Sequence, residues 1–171
     1  MTSFSIIRRP KMGILHVLLF ISSVCLAKGA SCKTGYSSYG EYCYALLQLQ
    51  ASWAEAQLYC KALGGSLAVI EDVDESSFVE GMLRQKHGNI STGQIWIGGT
   101  DLLQEGVWVA PETLEPLTFF NWAKGEPDNL GGQHCLAIFN SASLDWDDNL
   151  CEVHNYALCK SEVVTDETIV G

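Results

Sequence analysis

The sequence predicts one α+β domain, with helices in the first half and short strands in the second. Apolar residues recur at helical spacing between residues 52 and 83, whereas short apolar runs broken by turn residues follow Ile95. The chain has 171 residues, which suffice for one well-packed domain but not for two of ordinary size. Helices and mostly antiparallel strands in separate parts of a chain define the α+β class.

The first 27 residues differ from the rest and are predicted to be a signal peptide. Arg8, Arg9 and Lys11 precede an uncharged apolar run from Met12 to Ala27. The alternative is a membrane anchor, but a spanning helix needs about 20 apolar residues and this run is shorter. We therefore expect residues 1–27 to be removed and the remaining protein to be secreted, with no membrane insertion.

The first half of the mature chain predicts a strand, a helix and a short extended segment. Aromatic and apolar residues from Tyr42 to Leu46 are typical of a strand. Ser52 is a suitable N-cap for a helix, which Gly64-Gly65 would end. Residues 66–70 are predicted to be a short strand or an extended link.

A second helix is predicted to start at Asp74 and Glu75, because acidic residues favour a helix amino terminus. Within it, Phe78 and Met82 pair at i, i+4. After the helix, Asn89 begins an Asn-Ile-Ser glycosylation acceptor on a predicted loop.

Four strands and a long loop are predicted in the second half. The strands cover residues 96–99, 107–109, 135–139 and 156–159. Residues 110–134 are rich in Pro, Gly, Asn and Asp, and loops of that length in a compact domain are usually functional or disordered. Because this loop carries Trp122 and ends beside a cysteine, we predict that it is ordered and functional. Residues 161–171 are predicted to be a short acidic tail.

The mature chain is strongly acidic and holds an even number of cysteines. Of ten basic and twenty acidic residues, residues 1–27 hold three of the basic ones and no acid, so the mature formal charge is −13. That charge argues against nucleic acid or anionic membrane as a partner. Six cysteines in a secreted chain indicate three disulfides, with 15 connectivities open, and their spacing matches no zinc or redox motif.

Five oxygen-bearing side chains near the fourth and fifth of these cysteines predict a calcium site. They are Glu126, Asp128, Gln133, Asp147 and Asp148. A bridge between Cys135 and Cys151 would bring the segments that carry them within reach of one point. Carboxylates and an amide are hard oxygen ligands, which suit Ca²⁺ better than Zn²⁺ or a redox metal.

Four motifs follow one another in a recognisable order. They are Trp96-Ile97-Gly98-Gly99, then Thr100-Asp101 through Glu105-Gly106-Val107-Trp108, then Phe120 to Asn129, and Trp146-Asp147-Asp148 before Cys151. With these motifs and its cysteine frame, the chain resembles a C-type lectin domain over Cys32–Cys159. The resemblance implies a domain at residues 28–160, with two helices packed on two small, mostly antiparallel sheets and a long calcium-binding loop. It also implies the disulfides Cys32–Cys43, Cys60–Cys159 and Cys135–Cys151, and a cis bond before Pro127.

The resemblance also implies a function. The five oxygen ligands would hold one Ca²⁺, and two neighbouring sugar hydroxyls would complete its coordination while hydrogen-bonding the same side chains. We therefore expect a secreted calcium-dependent lectin for microbial or self glycans, which gains avidity if it forms a homo-oligomer. It is not expected to be an enzyme, because metal ligation explains Glu126 and Asp128 better than a glycosidase pair does. The rival function is a calcium-stabilised domain that binds a protein or a mineral surface.

The chain departs from the family pattern at its sugar-contacting residues. Mannose-type sites carry Glu-Pro-Asn and galactose-type sites carry Gln-Pro-Asp, whereas this chain has Glu126-Pro127-Asp128. A calcium-bound hydroxyl donates to a carboxylate and accepts from an amide, so each hydroxyl needs one of each. Gln133 and Asp147 provide such a pair, but Glu126 and Asp128 are two acceptors. The prediction is firm cation binding with altered sugar selectivity, with mannose- and galactose-type glycans both left open.

A second calcium position of the family would draw on Asp101, Glu105, Asn129 and His134. Acids are usual at the last two of these positions. We therefore expect Asp101 and Glu105 to order the loop rather than hold an ion, and His134 to be a surface residue.

Overall fold

The computed structural model describes residues 31–86, 93–139 and 142–164. The predicted signal peptide, the acceptor Asn89 and most of the predicted tail lie outside the described residues. In chain order the elements are β1 (Ser37–Tyr39), β2 (Tyr42–Ala51), α1 (Trp53–Ala62), β3 (Ser66–Leu67), α2 (Val73–Lys86), β4 (Ile95–Thr100), β5 (Cys135–Ile138), β6 (Trp146–Asn149) and β7 (Asn155–Glu162). Two helices and a mixed sheet confirm the α+β class.

Among the described residues the seven strands form one sheet. Its order is β1-β2-β7-β4-β5-β6, and β3 pairs with β7 off this path. Only β4 and β7 run parallel, pairing Ile95 with Tyr156 and Trp96 with Ala157. This pair joins into one sheet the strands that were expected to form two.

Alternate residues of the central strands face opposite sides of this sheet. In β4, Ile95 and Ile97 belong to the core cluster that includes Val79 of α2. Between them, Trp96 belongs to the cluster that includes Ala56 of α1. One helix therefore covers each face, and the strands are buried on both sides.

The first helix begins where the sequence predicts. The Ser52 hydroxyl accepts a hydrogen bond from the Glu55 N–H, while the Ser52 N–H donates to the Glu55 carboxylate at 2.9 Å. This reciprocal capping box gives hydrogen-bond partners to two backbone N–H groups at the helix start. No helix in the described part of the chain is both long and apolar enough to cross a bilayer.

The predicted strand over residues 107–109 is wrong. Val109 forms only isolated bridges, one to Thr100 and one to Pro116. Its N–H donates to the Thr100 carbonyl oxygen at 2.9 Å, and the Ala110 N–H donates to the Glu115 carbonyl oxygen at 2.9 Å, but the pairing on each side stops at a single bridge. The segment instead places Trp108 in the core, where it is buried.

Three disulfides fix the described chain, and they are the pairs that the resemblance implies. They join Cys32 to Cys43, Cys60 to Cys159 and Cys135 to Cys151. The second has a sequence separation of 99 and ties α1 to β7. On the chain-entropy model, closing a loop of that length stabilises the fold by roughly 4–5 kcal/mol. The third joins the start of β5 to the residue two positions beyond β6, close to the predicted calcium ligands.

Candidate functional site

The long loop is ordered by its own aromatic residues and by β6. The Trp122 ring stacks on Phe120 with centroids 5.4 Å apart. The Trp146 N–H donates to the Asn121 carbonyl oxygen at 2.7 Å, and the Ala123 N–H donates to the Trp146 carbonyl oxygen at 2.8 Å. These contacts fix the loop to β6 directly beside the predicted ligands.

Three of the five predicted ligands converge. Glu126 of the loop meets Asp147 and Asp148 of β6, and one carboxylate oxygen from each lies within 4.8 Å of the others. The two aspartates are buried, with 6% of Asp147 and 1% of Asp148 exposed. No salt bridge to these three acids occurs within the described ranges. The Glu126–Pro127 bond is cis, as the resemblance implies.

The charges of this acidic cluster oppose one another. Burial and, after it, the negative charge of Asp147 together raise the pKa of Glu126 to about 7. Burial also raises the pKa of Asp147, against the lowering effect of a hydrogen bond from Gln94. Both shifts disfavour the charged carboxylates, and a nearby cation would act in the opposite direction. The cluster therefore favours either a bound proton or a bound cation.

Asp148 also organises the backbone of the loop. Its Oδ1 accepts from the Asp128 N–H at 3.0 Å, and its Oδ2 accepts from the Asn129 N–H at 2.8 Å. The Asp128 carboxylate in turn accepts from the Leu130 N–H at 2.9 Å. Because a carboxylate oxygen has two lone pairs, each oxygen keeps one for a further ligand.

Two buried oxygens of the predicted ligand set have no hydrogen-bond partner. They are Oε2 of Glu126 and Oε1 of Gln133. Leaving a buried acceptor unpaired costs about 1–3 kcal/mol, so such atoms call for a ligand, a water or an ion. A cation with oxygen ligands fits both atoms. Asp128 lies outside the converging group of three acids and is joined to it through its backbone.

A second cluster consists of Asp101, Glu105 and His134, and its composition differs. Nδ1 of His134 lies 2.9 Å from Oδ1 of Asp101 and 3.5 Å from Oε2 of Glu105. Nδ2 of Asn129 donates to the same Glu105 oxygen at 2.7 Å. The His134 side chain is 29% exposed, so it reaches the surface, and it also contacts the buried Asp101.

Two further residues at the first cluster were not predicted. Nε2 of Gln94 donates to Oδ2 of Asp147, and Nδ2 of Asn149 donates to Oε1 of Gln94. Asn149 follows the Trp-Asp-Asp motif directly, so its position in the sequence could have indicated that it lies near the site. Gln94 precedes β4 by one residue and belongs to no motif, so only the fold reveals it.

The comparisons with known proteins identify the family. The lectin C-type domain model matches residues 49–161, and the chain belongs to this family. Ladderlectin of Oncorhynchus mykiss is 34% identical over 121 residues, which span 70% of this chain and 62% of that protein. The type-2 ice-structuring protein of Hemitripterus americanus is 30% identical over 129 residues, which span 75% of this chain and 74% of that protein.

A solved structure agrees with the fold. The carbohydrate-recognition domain of the mouse scavenger receptor C-type lectin superposes with a TM-score of 0.70 at 24% identity, over 78% of this chain and 100% of that domain. The relatives include both a lectin and an ice-structuring protein. Family membership therefore defines the fold of this chain, and its ligand must be inferred from the residues of the site.

Proposed function

We propose that this protein is a secreted, calcium-dependent lectin with one Ca²⁺ site. The proposed ligands are Glu126, Asp128, Gln133, Asp147 and Asp148. The observation that carries the proposal is the convergence of three acids with oxygens within 4.8 Å of one another and no basic partner in the described chain. When bound, Ca²⁺ would supply the balancing positive charge and open coordination positions for sugar hydroxyls.

The protein's own groups would orient the sugar. Gln133 carries an amide that can donate to one hydroxyl, and Asp147 carries a carboxylate that can accept from it. Glu126 and Asp128 offer acceptors only, so the second hydroxyl would lack one donated hydrogen bond. This asymmetry supports firm calcium binding with altered selectivity between mannose- and galactose-type glycans. Catalysis is not part of the proposal, since each of these side chains has a ligand or orienting role.

A second candidate is a calcium-stabilised domain that binds a protein or a mineral surface. The observation that favours it is the exposed aliphatic side chains beside the two clusters, where Leu103 is 73% and Leu130 74% exposed. A rim that combines apolar and acidic groups suits an extended surface better than a single sugar ring.

A glycan array with calcium and with chelator separates the two candidates, and calorimetry measures calcium uptake in parallel. The lectin proposal expects binding of glycans that chelator abolishes. Calcium uptake without glycan binding would favour the second candidate. Absence of calcium uptake near neutral pH would contradict both.

Asp128→Asn tests the two-acceptor argument directly. The variant restores one acid and one amide to the second hydroxyl, and the removed penalty of about 1–3 kcal/mol corresponds to roughly 5- to 150-fold tighter binding of mannose-type sugars. Competition by mannosides in the presence of calcium measures this gain. Asp74→Asn, an exposed acid of α2, is the matched control. Equal sugar binding by both variants would contradict the argument.

A further inference from the structure

A chain of hydrogen bonds leads from the backbone to the calcium-site carboxylate of Asp147. The Leu150 N–H donates to Oδ1 of Asn149 at 2.7 Å. Nδ2 of Asn149 donates to Oε1 of Gln94, and Nε2 of Gln94 donates to Oδ2 of Asp147. We call these three bonds the Gln94 relay.

The relay has only one chemically consistent direction. A backbone N–H can only donate, so Asn149 must present its oxygen to Leu150 and its amide nitrogen to Gln94. Gln94 must then accept through its oxygen, which turns its own nitrogen toward Asp147. An ionised carboxylate can only accept, so both ends of the relay agree on the orientation of the two amides.

The backbone of Gln94 is also fixed. Its N–H donates to Oδ1 of the buried Asn155 at 3.1 Å, and its carbonyl oxygen accepts from the Tyr156 N–H at 3.1 Å. Both partners lie at the start of β7, which β4 and β5 separate from the strand of Asp147 in the sheet order. The Gln94 side chain therefore reaches the site from a rigid base and holds Asp147 from outside the loop.

We propose that Gln94 is a positioning residue of the calcium site, acting through Asp147. The relay binds Oδ2 of Asp147 and so orders this side chain before calcium arrives. The Asp147 carboxylate also contacts Glu126, and a cation between the two acids would take the place of that contact. The inference rests on the proposed calcium-dependent function and adds a residue that contacts neither ion nor sugar.

A matched residue elsewhere in the chain provides the control. The Gln57 amide, like that of Gln94, makes one hydrogen bond to a donor and one to a carboxylate. Its Oε1 accepts from the Leu67 N–H at 2.9 Å, and its Nε2 donates to Glu112. Gln57 lies in α1 and is not in contact with either acidic cluster. Loss of its amide should affect folding stability alone.

The experiment compares Gln94→Met with Gln57→Met in the full mature protein. Methionine keeps the length and the apolar volume of the side chain and removes both amide functions. Partners that orient metal ligands typically contribute 10- to 100-fold to metal affinity, so Gln94→Met should weaken calcium binding by about that factor. Gln57→Met should bind calcium as the unmodified protein does. Calorimetry gives the affinity, and thermal unfolding in chelator gives the stability of each variant.

Stability in chelator separates positioning from a merely structural role. At a calcium concentration near the Kd of the unmodified protein, Gln94→Met should lose most of the rise in Tm that calcium gives, whereas Gln57→Met should keep that rise even if its Tm in chelator is lower. Unchanged calcium affinity in Gln94→Met would overturn the inference. Absence of calcium uptake by the unmodified protein would overturn the proposed function, and this inference with it.

A second variant keeps the test decisive if Gln94→Met folds poorly. Asn149→Ala removes the group that orients the Gln94 amide and leaves Gln94 in place, so it should weaken calcium binding in the same direction but less. Because both residues act through one relay, the double variant should lose less affinity than the two single losses multiplied together. Fully multiplicative losses would show that the residues act independently and would overturn the relay.

Discussion

The two acidic clusters are joined through Asn129, whose N–H donates to Asp148 and whose side-chain amide donates to Glu105, yet they balance their charge in different ways. The second cluster is linked internally, since His134 contacts Asp101 and Asn129 donates to Glu105. The first cluster has no basic residue, and two of its predicted ligand oxygens are buried without a partner. The acids of the first cluster therefore depend on something from outside the chain, whereas the acids of the second have donors within it, although Oδ1 of Asn129 beside them is buried without a partner.

The difference shows how the identity of two side chains decides whether a cluster of acids acts as an ion site or as a cross-link. A histidine and an amide can donate hydrogen bonds to carboxylates, whereas further carboxylates can only accept. Replacing donors by acids should turn a cross-link into an ion site, and removing an acid should weaken an ion site. Four experiments test this comparison, in order of decreasing effect.

Asp148→Asn should have the largest effect. It removes a charge from the first cluster. It also places an amide N–H opposite the N–H of Asp128 or Asn129, which now donates to the carboxylate, so that two donors face each other. Calcium affinity should fall by at least about 100-fold, because ligand charge sets the affinity of oxygen sites. Calorimetric titration with calcium measures the change. Glu105→Gln in the second cluster is the control and should leave affinity nearly unchanged; equal losses would erase the distinction between the clusters.

Calcium binding should weaken as the pH falls below about 7. The pKa of Glu126 is raised to about 7, so protons compete with the ion for its carboxylate. Affinity should drop by up to about tenfold for each pH unit below that value, with release of up to one proton on binding at lower pH. Titrations in buffers of different ionisation enthalpy measure the released protons. Glu126→Gln should bind calcium weakly, and its affinity should depend little on pH near 7. A pH dependence that persists in this variant would show that another group titrates.

Without calcium the same group should make the fold less stable as the pH rises. The pKa of Glu126 is about 7 in the folded protein and 4.5 as its ordinary value, so between these values the folded state binds the additional proton. The free energy of unfolding should therefore fall as the pH rises from about 4.5 to 7 and level off above it. Urea unfolding in chelator measures this slope, which should be smaller in Glu126→Gln.

His134→Asp should have the smallest effect and act on the second cluster. It replaces a donor by an acid, so Asp101 loses a partner and faces a like charge. The free energy of unfolding in chelator should fall by about 1–3 kcal/mol. Excess calcium should restore part of that loss, because the altered cluster then resembles the first. His154→Asp, at an exposed histidine, is the control; equal stability of the two variants in chelator would contradict a cross-linking role for His134.

Much of the fold could be predicted because its signals are local. The start of α1 follows from Ser52 and Glu55, which cap one another within one turn. The acids of the first cluster follow from two short motifs and a cysteine frame. In each case the residues whose identity allows the prediction are the same residues that form the cap or the cluster.

The parts that were missed depend on distant contacts. At residues 107–109 only Val109 is paired, once with Thr100 and once with Pro116, and the composition of the segment itself does not show that the pairing stops there. The role of Gln94 depends on Asp147 and Asn149, which are brought to it by the pairing of β4, β5 and β6. The contact of His134 with Asp101 could not be predicted, because the two residues are 33 positions apart and only the fold brings them together.

The positions of the domain's edges have a practical consequence. Ser31 pairs with Val164, so the first and last described residues lie side by side, next to the β1 end of the strand order. The carboxylates of β6 lie at the other end of that order. A biotin tag or a carrier protein attached beside Ser31 or Val164 would therefore leave the acidic carboxylates of β6 facing outward, and immobilisation on a sensor chip would keep them open to large ligands.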